Sequence, residues 1–206
     1  MTTKIQVIFY CSHGHIFKMA EAMIAGAREI PDVEATLWQV PELMPDNALK
    51  SHARAARASF AQIPTTKPEL LAEADAIIFV TPTRLGNMCA QMHNFIDQTG
   101  GRIRGALNGK GNSVFCNSAS QHSSPESTML NFHTTRLRNG MVIVGVPYSV
   151  QQQMIFSEIT SASPNRANPI TNRDGAEEHP SEKEIATARF QGRHIAEVTG
   201  RLKIAA

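Results

Sequence analysis

The stretch AIIFVTPTRLGNM, residues Ala76–Met88, joins a run of apolar residues to a polar turn. The segment from Ala76 to Val80 is continuously apolar and predicts a buried strand of a parallel sheet. The residues that follow, Thr81 to Met88, predict a turn at the carboxyl end of that strand, before an amphipathic helix. Ligands of open α/β sheets bind outside the carboxyl ends of the strands, so this turn is a candidate cradle for a planar ring.

A second strand and turn lie near the start of the chain. The segment from Ile5 to Tyr10 predicts a strand, and CSHGH, Cys11–His15, predicts a turn before a helix that begins near Ile16. A helix N-terminus offers unpaired N–H groups and a partial positive charge, which together bind phosphate. Because this turn lacks the GxGxxG pattern of dinucleotide sites, we expect it to hold a single phosphate.

Strands and helices alternate along the rest of the chain. Further strands are predicted over three apolar segments: Val33 to Gln39, Asn112 to Cys116 and Met141 to Val146. This alternation favours a parallel sheet covered on both faces, and the right-handed crossover rule leads to a doubly wound α/β sandwich of three layers. The last helix is predicted to start at Ser181, where Glu184 completes a capping box. We expect one domain over residues 1–206.

Two segments interrupt the alternation. Asp46 to Ala61 is rich in alanine and places Lys50, Arg54 and Arg57 on one face, which predicts an inserted surface helix with a basic stripe. The connection from Gln151 to His179 is too polar for a core and too long for a simple turn. Neither segment has an obvious contact within the chain, so we predict that at least one of them lies in a subunit interface.

Composition restricts the classes of function. The chain has 206 residues, of which 42% are hydrophobic and 18% charged, and this balance suits a globular α/β protein. Its net charge of +2 is not concentrated in basic blocks, so nucleic acid is not an expected partner. The three cysteines are odd in number and lack CxxC spacing, which favours reduced thiols and a cytoplasmic location. We expect neither a signal sequence nor a membrane span, because no apolar run approaches the necessary length.

Ordered matches along nearly the whole chain resemble one family. They are Gly14 to Ile16, Val40 to Glu42, Ala76 to Met88, Phe95 to Gly101, Gly140 to Val144, Asp174-Gly175, Pro180-Ser181 and Ala188 to Gly192. Together they resemble the WrbA family of flavodoxin-like, FMN-dependent NAD(P)H:quinone oxidoreductases. The resemblance implies a flavodoxin-like three-layer sandwich with a five-stranded parallel sheet in the order 2-1-3-4-5. It also implies FMN as cofactor, NAD(P)H as co-substrate, a quinone reduced by two electrons in a ping-pong reaction, and a homotetramer.

The same resemblance implies a cofactor site made of three loops. The phosphate turn would comprise Cys11, Ser12, His13, Gly14, His15 and Ile16. The turn at the ring would comprise Pro82, Thr83, Arg84, Leu85, Gly86 and Asn87. The third loop would contribute Asn117, Ser118, Ala119 and Ser120. Arg138 would also reach the flavin, and both it and His13 are candidate contacts of the nicotinamide or the flavin. No protein nucleophile is implied, because the cofactor carries the chemistry.

Several positions depart from the family pattern. Cys11 stands where the family has Ser or Thr, and a thiol is a poor hydrogen-bond donor to phosphate. Leu85 replaces a phenylalanine, Arg138 stands in place of a histidine, and the tryptophan that walls the family's substrate pocket is absent. The third loop, residues 117–124, has no glycine. These departures keep open an alternative function: a flavodoxin-like protein with weak or lost FMN binding that acts as a structural or interaction module.

Two further hypotheses are disfavoured by the sequence. Cys11, His13 and His15 are metal-ligand types at alternate positions, but structural zinc takes four ligands from paired clusters. Neither Cys89 nor Cys116 has a Cys or His at ligand spacing, so we predict no metal site. A one-electron carrier is disfavoured by the near-neutral charge, since such carriers dock through a strong field of one sign.

Overall fold

A parallel sheet forms the centre of the computed structural model, which describes residues 2–118, 125–147 and 180–204. Its strands are β1 (Thr3–Phe9), β2 (Val33–Gln39), β3 (Ala76–Arg84), β4 (Asn87–Met88), β5 (Gly111–Asn117) and β6 (Val142–Ile143). The parallel strands follow the order β2-β1-β3-β5-β6, while the short β4 pairs antiparallel with the end of β3. The predicted order of five parallel strands is therefore confirmed, and β4 only changes their numbering.

Helices cover both faces of this sheet. They are α1 (His15–Ala27), α2 (Ser51–Ala58), α3 (Ala90–Asp97), α4 (Thr99–Arg102), α5 (Pro125–Arg138) and α6 (Glu182–Ile204). On one face, Met23 of α1 and Ile195 of α6 pack with Val7 of β1. On the other face, Phe132 of α5 packs with Phe79 of β3 in a core that also contains Ile8 of β1. Alternate residues of β1 thus enter two separate cores, as a three-layer sandwich requires. No helix in the described part of the chain is long and apolar enough to cross a membrane.

The inserted segment Asp46 to Ala61 contains the predicted surface helix, but only over Ser51–Ala58, so its predicted extent is wrong. A 3₁₀ turn at Asp46–Ala48 comes first, and α2 begins at Ser51. Leu49 and Lys50 between them have extended backbone. The side chain of Leu49 is buried, and burying it requires the chain to turn inward at a point where a continuous surface helix would keep it in solvent.

The end of the chain shows one confirmed prediction and one wrong boundary. The predicted strand Met141 to Val146 pairs only within β6, because β6 lies at the sheet edge and pairs with no more than the first residues of β5. The connection from Gln151 to His179 lies outside the described residues. The predicted capping box is present: the Ser181 N–H donates to the Glu184 carboxylate at 2.8 Å, and the Glu184 N–H donates to Ser181 Oγ at 3.3 Å.

Arg136 of α5 is a fully buried cation in the second core. Its guanidinium lies over the rings of Phe79 and Phe132, at 5.0 and 5.5 Å from their centroids. No hydrogen-bond partner for its nitrogens exists among the described residues, so the aromatic faces provide its electrostatic contacts. Burial lowers the pKa of Arg136 to about 10, which leaves it charged at neutral pH.

Two glycines allow α1 and α6 to cross in backbone contact. A β-carbon at Gly26 of α1 would overlap the carbonyl group of Arg189, and one at Gly192 of α6 would overlap the carbonyl group of Met23. A side chain at either position would push the helices apart, because packed interiors have no spare volume. The crossing holds α1 in place, and the N-terminus of α1 lies where the central strands end.

Gly192→Ala tests this crossing. We expect the added methyl group to lower the free energy of unfolding by roughly 1–3 kcal/mol, because it meets backbone that cannot rotate away. Gly200→Ala on the same helix is the matched control, since a β-carbon there meets nothing within 4 Å. That control should stabilise the protein by about 0.5–1 kcal/mol, as alanine suits a helix interior better than glycine. Urea unfolding at one protein concentration compares the two, and equal stability would contradict the close crossing.

Candidate functional site

The turns after β1, β3 and β5 meet at one edge of the sheet, because these parallel strands end side by side. They enclose a cleft of about 60 Å³, which we call the edge cleft. Its walls are Cys11, Ser12, His13, His15, Ile16, Pro82, Arg84, Asn117 and Ser118. The structure thus brings together residues from all three of the loops that the sequence singled out.

The turn after β1 gathers backbone donors at the start of α1. Gly14 caps this helix with a φ of +85°, a conformation that favours glycine, and open space surrounds the place of its missing β-carbon. Cys11 is buried, and its Sγ accepts a hydrogen bond of 3.1 Å from the Gly14 N–H. The N–H groups of Phe17 and Ile16 also approach this sulfur. Burial raises the pKa of the Cys11 thiol, so a neutral thiol lies among the donors that a phosphate needs.

His15 lines the edge cleft as a neutral imidazole. It is only 4% exposed, and burial, with a smaller effect from the charge of Lys18, lowers its pKa to about 4. The Nδ2 atom of Asn117 lies 3.4 Å from His15 Nδ1, where the neutral ring can accept a hydrogen bond from the amide. The other amide atom, Asn117 Oδ1, is buried without a partner among the described residues. It is therefore free to accept a hydrogen bond from a ligand hydroxyl.

The turn after β3 has a strained backbone, and hydrogen bonds from α5 hold it in place. Leu85 and Gly86 have φ values of +50° and +75°, and the left-handed conformation costs a residue such as leucine roughly 1–2 kcal/mol. The Gly86 carbonyl accepts hydrogen bonds from Ser127 Oγ at 3.0 Å and Asn131 Nδ2 at 3.3 Å, both on α5. Leu85 is fully exposed. The turn therefore presents its backbone and the Leu85 side chain outward, at a fixed distance from the sheet.

Thr83 and Asn87 occupy the two arms of this turn. They lie on β3 and β4, whose antiparallel pairing closes the turn. Thr83 Oγ1 is buried and has no hydrogen-bond partner within the described ranges. Asn87 Oδ1 accepts a hydrogen bond of 2.9 Å from the Met88 N–H and so stiffens the second arm. The unpaired hydroxyl of Thr83 is a second buried polar atom that a ligand can satisfy.

A histidine of the inserted segment enters the site. His13 stacks on His52, with ring centroids 4.8 Å apart and ring planes at 16°. Burial lowers the pKa of His13, and the charges of His52, Arg84 and Lys50 lower it further. Arg84 donates to the Thr83 carbonyl at 3.2 Å. Sequence reasoning missed His52; its one signal was its place beside the basic residues of a segment that we assigned to the surface.

Eight residues implied by the resemblance are not seen in the walls of the edge cleft: Gly14, Thr83, Leu85, Gly86 and Asn87 belong to the turns beside it, and the other three are Ala119, Ser120 and Arg138. Ala119 and Ser120 lie outside the described residues. Arg138 ends α5, which runs back from the cleft, and it lies two residues before Gly140, whose carbonyl accepts from Gly109 just ahead of β5. Arg138 is therefore at the opposite edge of the sheet and does not reach the cleft of its own chain. Its contact with a flavin stays a prediction that requires a neighbouring subunit.

The residues around the edge cleft suit a mononucleotide whose phosphate occupies this cleft of about 60 Å³ and whose hydroxyl groups and flat ring lie outside it. The N–H groups at the start of α1 suit the phosphate. The unpartnered Asn117 Oδ1 in the cleft wall suits a hydroxyl group, as does Thr83 Oγ1 beside the cleft, and the exposed turn after β3 suits the edge of a ring. Nowhere in the described ranges do three His, Cys, Asp or Glu side chains come together to hold a metal ion. Fold and site define a flavodoxin-like protein with a mononucleotide site at the carboxyl edge of its sheet.

The chain belongs to the NADPH-dependent FMN reductase family, whose model matches residues 3–154. It is 53% identical over 201 residues to a protein of Aromatoleum aromaticum named NAD(P)H dehydrogenase (quinone), and the match covers 97% of each chain. A protein of the same name from Trichlorobacter lovleyi is 52% identical over 202 residues, covering 97% of this chain and 98% of that one. These findings confirm the resemblance stated from the sequence.

Solved structures confirm the flavodoxin-like fold. A flavodoxin, WrbA-like protein from Agrobacterium tumefaciens superposes with a TM-score of 0.66 at 23% identity, covering 97% of this chain and 99% of that one. Flavodoxin 2 from Bacillus cereus superposes with a TM-score of 0.61 at 15% identity, covering 95% of this chain and 99% of that one. At these identities the likeness concerns the fold alone.

The burial of His15 predicts a loss of stability in acid. Because the unfolded chain binds a proton at a pKa near 6.5 and the folded chain only near 4, the free energy of unfolding falls as the pH drops between these values. The free energy of unfolding that is lost through His15 approaches about 3 kcal/mol once the pH has fallen to the folded-state pKa of about 4. His15→Gln should flatten this dependence, whereas His93→Gln, which replaces an exposed histidine of α3, should leave it unchanged.

Two measurements test the acid dependence. Urea unfolding at a series of pH values gives the slope for each variant, and NMR titration of the ring protons gives the pKa of His15 directly. A His15 midpoint near 6.5, or an unchanged slope in His15→Gln, would contradict a buried neutral imidazole.

Proposed function

We propose that this chain acts as a single flavodoxin-like domain and is an FMN-dependent NAD(P)H:quinone oxidoreductase. The observation that carries the proposal is the meeting of a phosphate-type turn and a strained, outward-facing turn at one sheet edge. It occurs in a member of the FMN reductase family. Relatives about half identical over nearly the full length have names that specify NAD(P)H and a quinone.

The residues of the edge cleft have distinct roles in this proposal. The turn from Cys11 to Ile16 and the N-terminus of α1 bind the phosphate. The turn from Pro82 to Asn87 binds the edge of the ring, and the loop from Asn117 to Ser120 meets the ribityl chain. Bound there, FMN would supply the redox chemistry, namely hydride acceptance from NAD(P)H and two-electron reduction of a quinone.

The protein contributes binding and electrostatics to this reaction. Arg84 is a fixed cation at the cleft, and a cation beside a ring that gains negative charge on reduction stabilises the reduced form. His15 is neutral and buried, so it adds no charge beneath the cofactor. His13, stacked on His52, lies at the mouth and is placed to contact the nicotinamide. These groups orient the two substrates at one ring face in turn, which leads to ping-pong kinetics.

Steady-state kinetics test the proposed function. Protein loaded with FMN should oxidise NADH or NADPH when benzoquinone is present, and double-reciprocal plots at several quinone concentrations should be parallel. Protein without flavin should be inactive. If no FMN binds at saturating concentration, the oxidoreductase proposal fails and the interaction-module alternative replaces it.

Cys11→Ser tests the phosphate turn. A serine hydroxyl can accept the Gly14 N–H and still donate to a phosphate, and a hydrogen bond to a charged group is worth about 1.5–3 kcal/mol. We therefore expect the FMN dissociation constant to fall roughly tenfold or more. Cys89→Ser is the control, because Cys89 is a buried thiol outside the walls of the edge cleft. Fluorescence titration with FMN measures both constants; an unchanged value in Cys11→Ser would show that the thiol does not limit binding.

The proposal includes assembly as a homotetramer in the cytoplasm. Cys11, Cys89 and Cys116 are all free thiols, which fits a reducing compartment. Leu130 and Leu137 are 64% and 61% exposed and lie two turns apart on one face of α5. Apolar side chains of that size on one helix face suit a subunit contact.

The basic stripe is a weaker basis for assembly than the sequence suggested. Arg57 forms an ion pair with Glu42 at 3.2 Å, so the expectation that this residue has no contact within the chain is wrong. We therefore predict that the subunit contact involves the leucine face of α5, formed by Leu130 and Leu137, and not the basic stripe.

Light scattering tests the assembly. The wild-type protein should have about four times the chain mass of 22.5 kDa at micromolar concentration. Replacing Leu130 and Leu137 together by lysine should shift the mass toward dimer or monomer, because charges in an apolar contact are costly to desolvate. Leu43→Lys, at another exposed leucine, should not change the mass. A clean wild-type monomer over a wide concentration range would refute the tetramer.

A further inference from the structure

A second cavity of about 410 Å³ adjoins the edge cleft; we call it the side cavity. It shares Cys11, Ser12 and Arg84 with the edge cleft. The end of β1 forms one wall, the segment from Glu42 to Arg57 forms another, and the start of α3 forms a third. Its volume lies in the range of about 300–1,000 Å³ that is typical of small-molecule sites and exceeds the needs of an inorganic ion.

The acid that lines the side cavity is already neutralised within the chain. The side chain of Glu42 is 8% exposed and forms the ion pair with Arg57. Tyr10 Oη and Gln91 Nε2 each donate to its carboxylate at 2.8 Å, and the backbone N–H groups of the next two residues also donate to it. Burial opposes ionisation, but these hydrogen bonds outweigh it and lower the pKa of Glu42. Its negative charge is therefore not available to compensate other cations.

The cations of the side cavity lack such compensation. In the part of the chain that the structure describes, neither Lys50 nor Arg84 forms an ion pair with a carboxylate. His52 also lines the cavity and stacks on His13. This concentration of positive charge also acts on His13. Burial lowers the pKa of His13, and His52, Arg84 and Lys50 lower it further. A negatively charged ligand would relieve this repulsion.

The remaining wall of the side cavity is apolar. It consists of Met44, Ala48, Leu49, Ala53 and Ala90. A ligand that satisfies both parts of the wall combines phosphate groups with an uncharged ring system. A free phosphate would leave the apolar part of the wall exposed to water, and a neutral quinone would leave the positive charge of the cations without a counter-charge.

We propose that the side cavity binds the adenosine phosphate portion of NAD(P)H, with Lys50 and Arg84 at its phosphate groups. The inference rests on the proposed function: Arg84 lines both cavities, so a dinucleotide that occupies the side cavity has its other end at the edge cleft. The phosphate chemistry has two sources, the pyrophosphate that NADH and NADPH share and the 2′-phosphate of NADPH. The inserted segment is thus a specificity element for the reductant.

Calorimetry on FMN-loaded protein tests the site directly. The probes are 5′-ADP and adenosine 2′,5′-bisphosphate, which carry the two kinds of phosphate without the nicotinamide. Lys50→Gln should weaken binding roughly 5-fold, a modest effect because Lys50 is exposed. Arg54→Gln is the matched control, because Arg54 lies close to Lys50 in the chain, on α2, but lines a different surface hollow with Gln39 and Asp46.

The two probes separate the sources of phosphate. Weakening of both probes in Lys50→Gln supports contact with the 5′-phosphates, and weakening of the bisphosphate alone supports contact with the 2′-phosphate. Failure of the wild-type protein to bind either probe at millimolar concentration would overturn the proposal. So would unchanged affinity in Lys50→Gln, or an equal loss in Arg54→Gln.

Kinetics distinguish failure of this inference from failure of the proposed function. In Lys50→Gln, the KM for NAD(P)H should rise by a similar factor while the KM for benzoquinone stays unchanged. A rise in the quinone KM alone would reassign the side cavity to the acceptor and overturn the inference. Since calorimetry requires no turnover, adenosine phosphate binding without quinone reduction would refute the proposed function and still support a nucleotide site.

Discussion

The parallel register of β1, β3 and β5 is the constraint on which the rest of the structure depends. Phe9 pairs with Val80, and Pro82 pairs with Asn117, so β1 and β5 end within two residues of each other along β3. Neighbouring strands are about 4.8 Å apart, which brings their turns within reach of one small ligand. A slip of one strand would remove a wall of the edge cleft and would also exchange the two cores, because alternate residues face opposite sides.

The turns themselves are held by elements behind them. The strained turn at Leu85 and Gly86 is fixed by two hydrogen bonds from α5, and α1 is fixed by its glycine crossing with α6. Such support increases the affinity of a cofactor-binding loop, because the loop loses its conformational entropy when the protein folds and not when the cofactor binds. The departures from the family pattern, Cys11 above all, fall on the surface of this scaffold and leave its geometry intact.

Charge is distributed unevenly around the two cavities. Glu42, the acid in the wall of the side cavity, is surrounded by Tyr10, Gln91 and Arg57. Neither Lys50 nor Arg84 has a carboxylate partner among the described residues. The low net charge of the chain conceals this asymmetry, because exposed acids elsewhere balance the total. A local excess of positive charge attracts anionic substrates even when the whole protein is nearly neutral.

The sequence by itself determined the five parallel strands, the capping box at Ser181 and the two turns at the sheet edge, whereas the order of the strands came from the family resemblance. The strands, the capping box and the turns follow from periodicity and turn chemistry, which are properties of residues close together in the chain. Tertiary structure decided the break at Leu49, the stacking of His13 on His52 and the Glu42 network. It also placed Arg138 at the far edge of the sheet. Each of these depends on segments separated by tens of residues, and their meeting is set by how the helices pack and not by any local pattern.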